Sequence, residues 1–190
     1  MRCRLVVMLK EPRPGRVKTR LGRDIGMGSA AWWFRHQVRH LLREVADARW
    51  QTVLAVSPDV AGMQSRVWPE GMPRLPQGRG DLGARMTRVF RALPGGPVCI
   101  IGADVPGIRA QHVAAAFRAL GRHDAVFGPA EDGGYWLVGL KRPGTPPAGL
   151  FAGVRWSTCH ALADSRASLG GLRVAEVARL RDVDRADDLP

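Results

Sequence analysis

The chain has 190 residues, with 29 Lys and Arg against 17 Asp and Glu, so its formal net charge is +12. A hydrophobic fraction of 45% and a charged fraction of 24% exclude wholesale disorder and a coiled coil, and the length suits one domain, residues 1–190, around one core. No apolar run approaches the roughly 20 residues of a membrane span, and Cys3, Cys99 and Cys159 lack CxxC spacing, which supports neither a disulfide framework nor a zinc site and fits a reducing cytoplasm.

In chain order, residues 5–9 are a continuous apolar run that predicts a first buried strand, ended by a Pro- and Gly-rich basic loop over 10–22. The basic, apolar start is similar to a signal peptide, but its apolar part is too short. Over residues 29–48, Trp33, Val38, Leu41, Leu42 and Val45 recur at helical spacing, with Gly28 or Ser29 as the cap. A second strand is expected at 52–56, then an irregular Pro-containing segment, then a helix from Asp81 to about residue 93, broken by Pro94-Gly95-Gly96-Pro97. Next come a buried strand at 98–101, an Ala-rich helix at 111–120, a strand at 125–127, an extended run at 135–140, a helix at 157–169 and an extended run at 172–177. This alternation predicts an α/β fold: a mostly parallel, twisted sheet with helices on both faces and ligands at the carboxyl ends of the strands.

Four loops and an acidic run carry candidate chemistry. After the first strand, Gly15 permits a turn and Lys10, Arg13, Arg16, Lys18 and Arg20 gather cations, which reads as a polyphosphate cradle or as a solvated basic turn. GxxxxGK[ST] is absent, so it is not a Walker A loop. In Gln77-Gly78-Arg79-Gly80-Asp81, glycines at a helix start allow close approach of an anion or acceptor, while Asp81 also reads as a helix cap. Asp104, at the end of a buried strand and before Val105-Pro106, suits a hard cation such as Mg²⁺, or forms a turn. The run Glu131-Asp132-Gly133-Gly134-Tyr135-Trp136 reads as a site or as an Asp-Gly hairpin turn. Near the end, Asp182, Asp184, Asp187 and Asp188 form an acidic run; Asp182 or Asp184 could complete a metal site with Asp104.

The charge first suggests nucleic acid, but only Lys10, Lys18 and Lys141 are lysines and the arginines are scattered, a pattern that genome composition can produce. Nucleic-acid binding requires cations clustered on one face or arm, often with stacking aromatics, and the scattered pattern leaves a basic nucleic-acid-binding protein only as a minor alternative. The exception is residues 10–23, within a first fifty residues that hold 12 Lys and Arg against four acids. A small polyphosphate is the ligand this cluster suggests.

Together, residues 10–21 (KEPRPGRVKTRL), 76–86 (PQGRGDLGARM), 101–106 (IGADVP), 128–140 (GPAEDGGYWLVGL), 150–158 (LFAGVRWST) and 182–189 (DVDRADDL) closely resemble the DUF2064 family of the GT-A, or nucleotide-diphospho-sugar transferase, superfamily. The resemblance implies a fold shared with the molybdenum-cofactor and phospholactate guanylyltransferases. It implies a transferase using a nucleotide sugar, or alternatively a nucleoside triphosphate, with a small-molecule acceptor and Mg²⁺ or Mn²⁺. By the same resemblance Lys10, Gly15, Arg16, Lys18 and Arg20 would hold the nucleotide phosphates, and Gly80 and Asp81 would line the base and ribose pocket. Asp104 and Asp184 would hold the metal, and Asp132, Gly133, Gly134 and Tyr135 would face the acceptor or sugar, with Lys18, Asp104 and Asp132 as the catalytic set. Trp136, where the family often has a second Tyr, and Arg185, where a Thr is usual, depart from its pattern. A homodimer is compatible with these features.

Overall fold

The computed structural model describes residues 2–141 and 146–181. Its strands are β1 (Cys3–Lys10), β2 (Trp50–Ser57), β3 (Arg74–Pro76), β4 (Val98–Gly102), β5 (Ala125–Pro129), β6 (Tyr135–Leu140) and β7 (Val174–Glu176). The helices are α1 (Thr19–Ile25), α2 (Met27–Glu44), α3 (Asp59–Gln64), α4 (Leu82–Ala92), α5 (Ala110–Leu120) and α6 (Ala161–Ala167). One seven-stranded sheet has the order β3-β2-β1-β4-β6-β5-β7. The pairs β1/β2, β1/β4, β2/β3 and β5/β7 are parallel, and among the described strands only β6 runs against its neighbours. The mostly parallel sheet expected from the alternation is therefore present.

Strand alternation divides the core into two layers. Leu5, Val7 and Leu9 share a cluster with Phe34 and Val38 of α2 and Val113 of α5. Val6, one residue out of phase, joins Met86, Val89 and Phe90 of α4 on the opposite face. Burial on both faces explains why the strands read as continuous apolar runs rather than as alternating ones.

Several elements differ from the sequence expectation. Helix α2 starts at Met27 with Gly26 as its cap and no side-chain capping bond, so neither Gly28 nor Ser29 caps it. Helix α1 occupies part of the expected basic loop; it has seven residues and buries only Leu21 and Gly22, too few to mark a period. Likewise α3 and β3 are ordered where an irregular segment was expected, and α6 begins at Ala161 because Ser157, at φ +60°, is left-handed and cannot continue a helix. The reversal of β6 follows from its connection: residues 130–134 are too few for a crossover, so β5 and β6 form a hairpin.

Candidate active-site cleft

The chain winds outward from β1 through β2 to β3 and then returns to place β4 on the other side of β1. Such a switch point leaves a crevice at the carboxyl ends of the two central strands. A cleft of about 1000 Å³ opens there, at the upper end of the usual range for small-molecule sites. Because β6 is reversed, its first residues, rather than its last, reach the same rim.

The structure brings most of the sequence candidates to this cleft. Lys10, Arg16, Lys18, Arg20, Gly80, Asp81, Asp104, Asp132, Gly134 and Tyr135 all line it. Gly15 and Gly133 do not. Gly15 lies in the exposed turn at φ +71°, while Gly133, at φ +86°, packs its α-carbon against the backbone of Cys159, where any Cβ would collide. Gly133 thus joins the β5–β6 hairpin to the following turn rather than facing a ligand; its carbonyl accepts from Leu162 N at 3.1 Å. Asp182, Asp184, Asp187 and Asp188, with Arg185, lie outside the described residues.

At the centre, Lys18 Nζ lies 3.3 Å from Asp104 Oδ1, the ammonium side chain 5% exposed and the carboxylate 58% exposed. Lys18 precedes α1 in the left-handed conformation, φ 46° and ψ 46°, a backbone state costly for a side chain with a Cβ. Its Nζ also sits 5.9 Å from the ring centroid of Trp33. Asp81 is the N-cap of α4, its Oδ1 accepting from Ala84 N at 2.8 Å, so the capping reading of that residue holds. Asp132 Oδ1 accepts from Gly134 N at 2.8 Å and fixes the hairpin turn, so the turn reading also holds, with the carboxylate on the cleft. Tyr135 hydroxyl pairs with Ser165 Oγ at 3.1 Å. Burial pushes its phenol above the ordinary value, the Ser165 bond opposing, so the hydroxyl stays protonated at neutral pH. Trp136 is 2% exposed and donates from Nε1 to Ala178 O at 2.9 Å, a structural use of the indole.

Sequence reasoning missed several lining residues. Arg85, which lines the cleft, stands one helical turn beyond Asp81, and its Nε donates to Gly80 O at 2.9 Å. The same i, i+4 spacing was legible in the run 80–85. Trp156, Ser157, Thr158 and Cys159 also line the cleft, with the Trp156 ring against Gly83 of α4. Asp164 holds that turn by accepting from Arg155 N, Nε and Nη2 at 2.9–3.0 Å.

A hard cation suits this donor chemistry: Asp104 presents an exposed carboxylate beside cations that would draw phosphate oxygens, and Mg²⁺ or Mn²⁺ sites commonly combine one or two carboxylates with substrate phosphates. Among the described residues no group of three or more His, Cys, Asp or Glu is gathered.

The sheet order, the switch point and the cleft together define the nucleotide-diphospho-sugar transferase fold, the fold of nucleotide-dependent transferases. The chain belongs to the DUF2064 family, described as uncharacterized protein conserved in bacteria, whose model matches residues 41–158. A crystal structure from Desulfovibrio desulfuricans G20, of a protein assigned as a nucleotide-diphospho-sugar transferase, is 29% identical, with a TM-score of 0.82 over 97% of this chain and 84% of that one. Two more distant structures share the fold alone. Rv0371c of Mycobacterium tuberculosis H37Rv, in complex with manganese, is 16% identical with a TM-score of 0.56 over 99% of this chain and 95% of that one. The 4-diphosphocytidyl-2C-methyl-D-erythritol synthase of Anaerococcus prevotii DSM 20548 is 9% identical with a TM-score of 0.62 over 98% and 92%. No protein of curated function matches the chain. No helix among the described residues is long and apolar enough to cross a membrane.

Proposed function

We propose that this protein is a metal-dependent glycosyltransferase that moves a sugar from a nucleotide-diphospho-sugar to a small-molecule acceptor. The observation that supports a nucleotide-activated donor is the charge arrangement: Lys10, Arg16, Lys18, Arg20 and Arg85 line one switch-point cleft beside Asp81, Asp104 and Asp132, while sugar transfer is preferred on the likeness to the Desulfovibrio desulfuricans G20 protein. Such a surplus of donors favours a ligand with several phosphate charges. Lys18, held nearly buried, and Arg20 bind and orient the phosphates and stabilise charge on the departing nucleoside diphosphate. Asp104 is the metal-holding residue, with Asp184 its proposed partner. When bound, the cation adds neutralisation of diphosphate charge. Asp132, oriented by its bond to Gly134 N, is positioned to accept a proton from an acceptor hydroxyl. Tyr135, protonated and tied to Ser165, shapes the acceptor wall instead of serving as a base.

A second reading, nucleotidyl transfer, is favoured by the number of cations after β1, which suits a triphosphate. Product analysis with Mg²⁺ or Mn²⁺ separates the two. Transfer of label from a nucleotide sugar supports the first; pyrophosphate release from a nucleoside triphosphate in the presence of a phosphorylated acceptor overturns it.

A further inference from the structure

Gln77 follows β3 and is only 3% exposed, yet it lines the cleft. A primary amide offers two N–H donors and a two-lone-pair oxygen. Both donors are spent: Nε2 donates to Leu9 O at 3.0 Å and to Ala55 O at 2.8 Å, near the carboxyl ends of β1 and β2. That pairing fixes the amide orientation, since the flipped arrangement would set Oε1 against two carbonyl oxygens. The backbone is held as firmly. Gln77 N donates to Val56 O at 3.0 Å, Gln77 O accepts from Arg88 Nη1 at 2.6 Å, and Gly78 N donates to Asp59 Oδ1 at 2.9 Å. What remains is Oε1, which accepts no hydrogen bond among the described residues and is not among the enclosed, unpartnered side-chain atoms; it therefore opens on the cleft.

We propose that Gln77 Oε1 is the nucleobase-reading acceptor of the cleft, taking an N–H of the base; the assignment rests on the nucleotide reading given above. An acceptor-only atom repels phosphate oxygens and pairs only with a donor, so the phosphates belong to the cationic side and the donor-bearing base to this one. Leu9, Leu82 and Met86 also line the cleft, and apolar surface suits the faces of a flat heteroaromatic ring better than a polyol. Because the oxygen is locked in place before binding, it distinguishes ligands without an ordering cost.

Calorimetric titration of the protein with UDP, GDP, CDP, ADP and pyrophosphate, in Mn²⁺, identifies the preferred base. That nucleotide is then compared with its analogue methylated at a base N–H, each Watson–Crick-edge N–H in turn. One methylated analogue is expected to bind about tenfold more weakly than its parent, the cost of an unmade hydrogen bond to a buried acceptor. Gln77→Lys keeps donors for Leu9 O and Ala55 O but removes the acceptor; it is expected to lose the same factor for the preferred nucleotide and nothing for pyrophosphate. Analogues that all bind as tightly as the parent, or a folded Gln77→Lys variant that keeps the full base ranking, would overturn the assignment; if that variant does not fold, the analogues decide alone. Four nucleotides that bind no better than pyrophosphate would instead overturn the nucleotide reading itself, and this assignment with it.

Discussion

Asp104 and Lys18 meet in a pair that neither residue's sequence context announces. Asp104 was legible as a carboxylate at a strand end, because a buried apolar run followed by Asp and Pro leaves it at the rim of a sheet. Its partner was legible only as one cation among several, since nothing in a one-dimensional run says which lysine turns inward. An exposed carboxylate contributes little to folding through such a pair, about 0–1 kcal/mol. Asp104→Asn is therefore expected to leave the melting temperature nearly unchanged and to weaken Mn²⁺-dependent nucleotide binding by at least about 10–100-fold; wild-type affinity in calorimetry would remove the proposed metal role. Lys18 carries a second signature, its left-handed backbone. Relief of that strain predicts that Lys18→Gly is more stable than Lys18→Ala by about 1 kcal/mol in urea unfolding, while both variants lose phosphate affinity. Equal stability of the two would mean that the backbone relaxes freely.

Among elements, α4 and the turn before α6 both line the cleft. Asp81 caps α4 through Ala84 N, and Asp81→Ala is expected to cost about 1 kcal/mol, a fall of roughly 2–4 °C in melting temperature for a chain of this length. No change would show that water replaces the cap. The turn before α6 depends on charge. Side-chain and then backbone hydrogen bonds from Arg155 hold the Asp164 carboxyl down from 3.8 to about 2. With the folded value below the unfolded one, the stabilisation is complete above about pH 4 and is lost as pH falls toward 2. Asp47 behaves alike through Arg49, so Asp164→Asn is expected to flatten part of the melting-temperature decline between about pH 4 and 2; an unchanged slope would assign the decline elsewhere. Long elements were legible because burial imposes a period on eleven or eighteen residues, as in α4 and α2. The short helices α1 and α3 were not, since six or seven residues bury too little to register, and the wall residues Trp156 to Cys159 depend on a left-handed Ser157 that no residue type advertises.

For the whole molecule, the +12 charge resolves into a local and a diffuse part. The local part faces the cleft; the rest is scattered over the chain, and some of it is offset by acids in surface pairs such as Arg49 with Asp47 and Arg173 with Asp124. The reversed strand β6 has a kinetic consequence as well. Among the described strand pairs, β5 and β6 alone form a hairpin, closed by residues 130–134, whereas β1 must wait for β4, far along the chain. Closing a short loop costs less chain entropy than closing a long one. The hairpin is thus expected to form early, and Val126→Ala or Val138→Ala should slow refolding in proportion to the stability lost, while Val53→Ala on β2 should mainly speed unfolding. Stopped-flow refolding that is slowed only by the β2 change would reverse that order. The segment that carries Asp132 would then be the first part of the cleft to exist as the chain collapses, waiting for the cationic side to be brought to it.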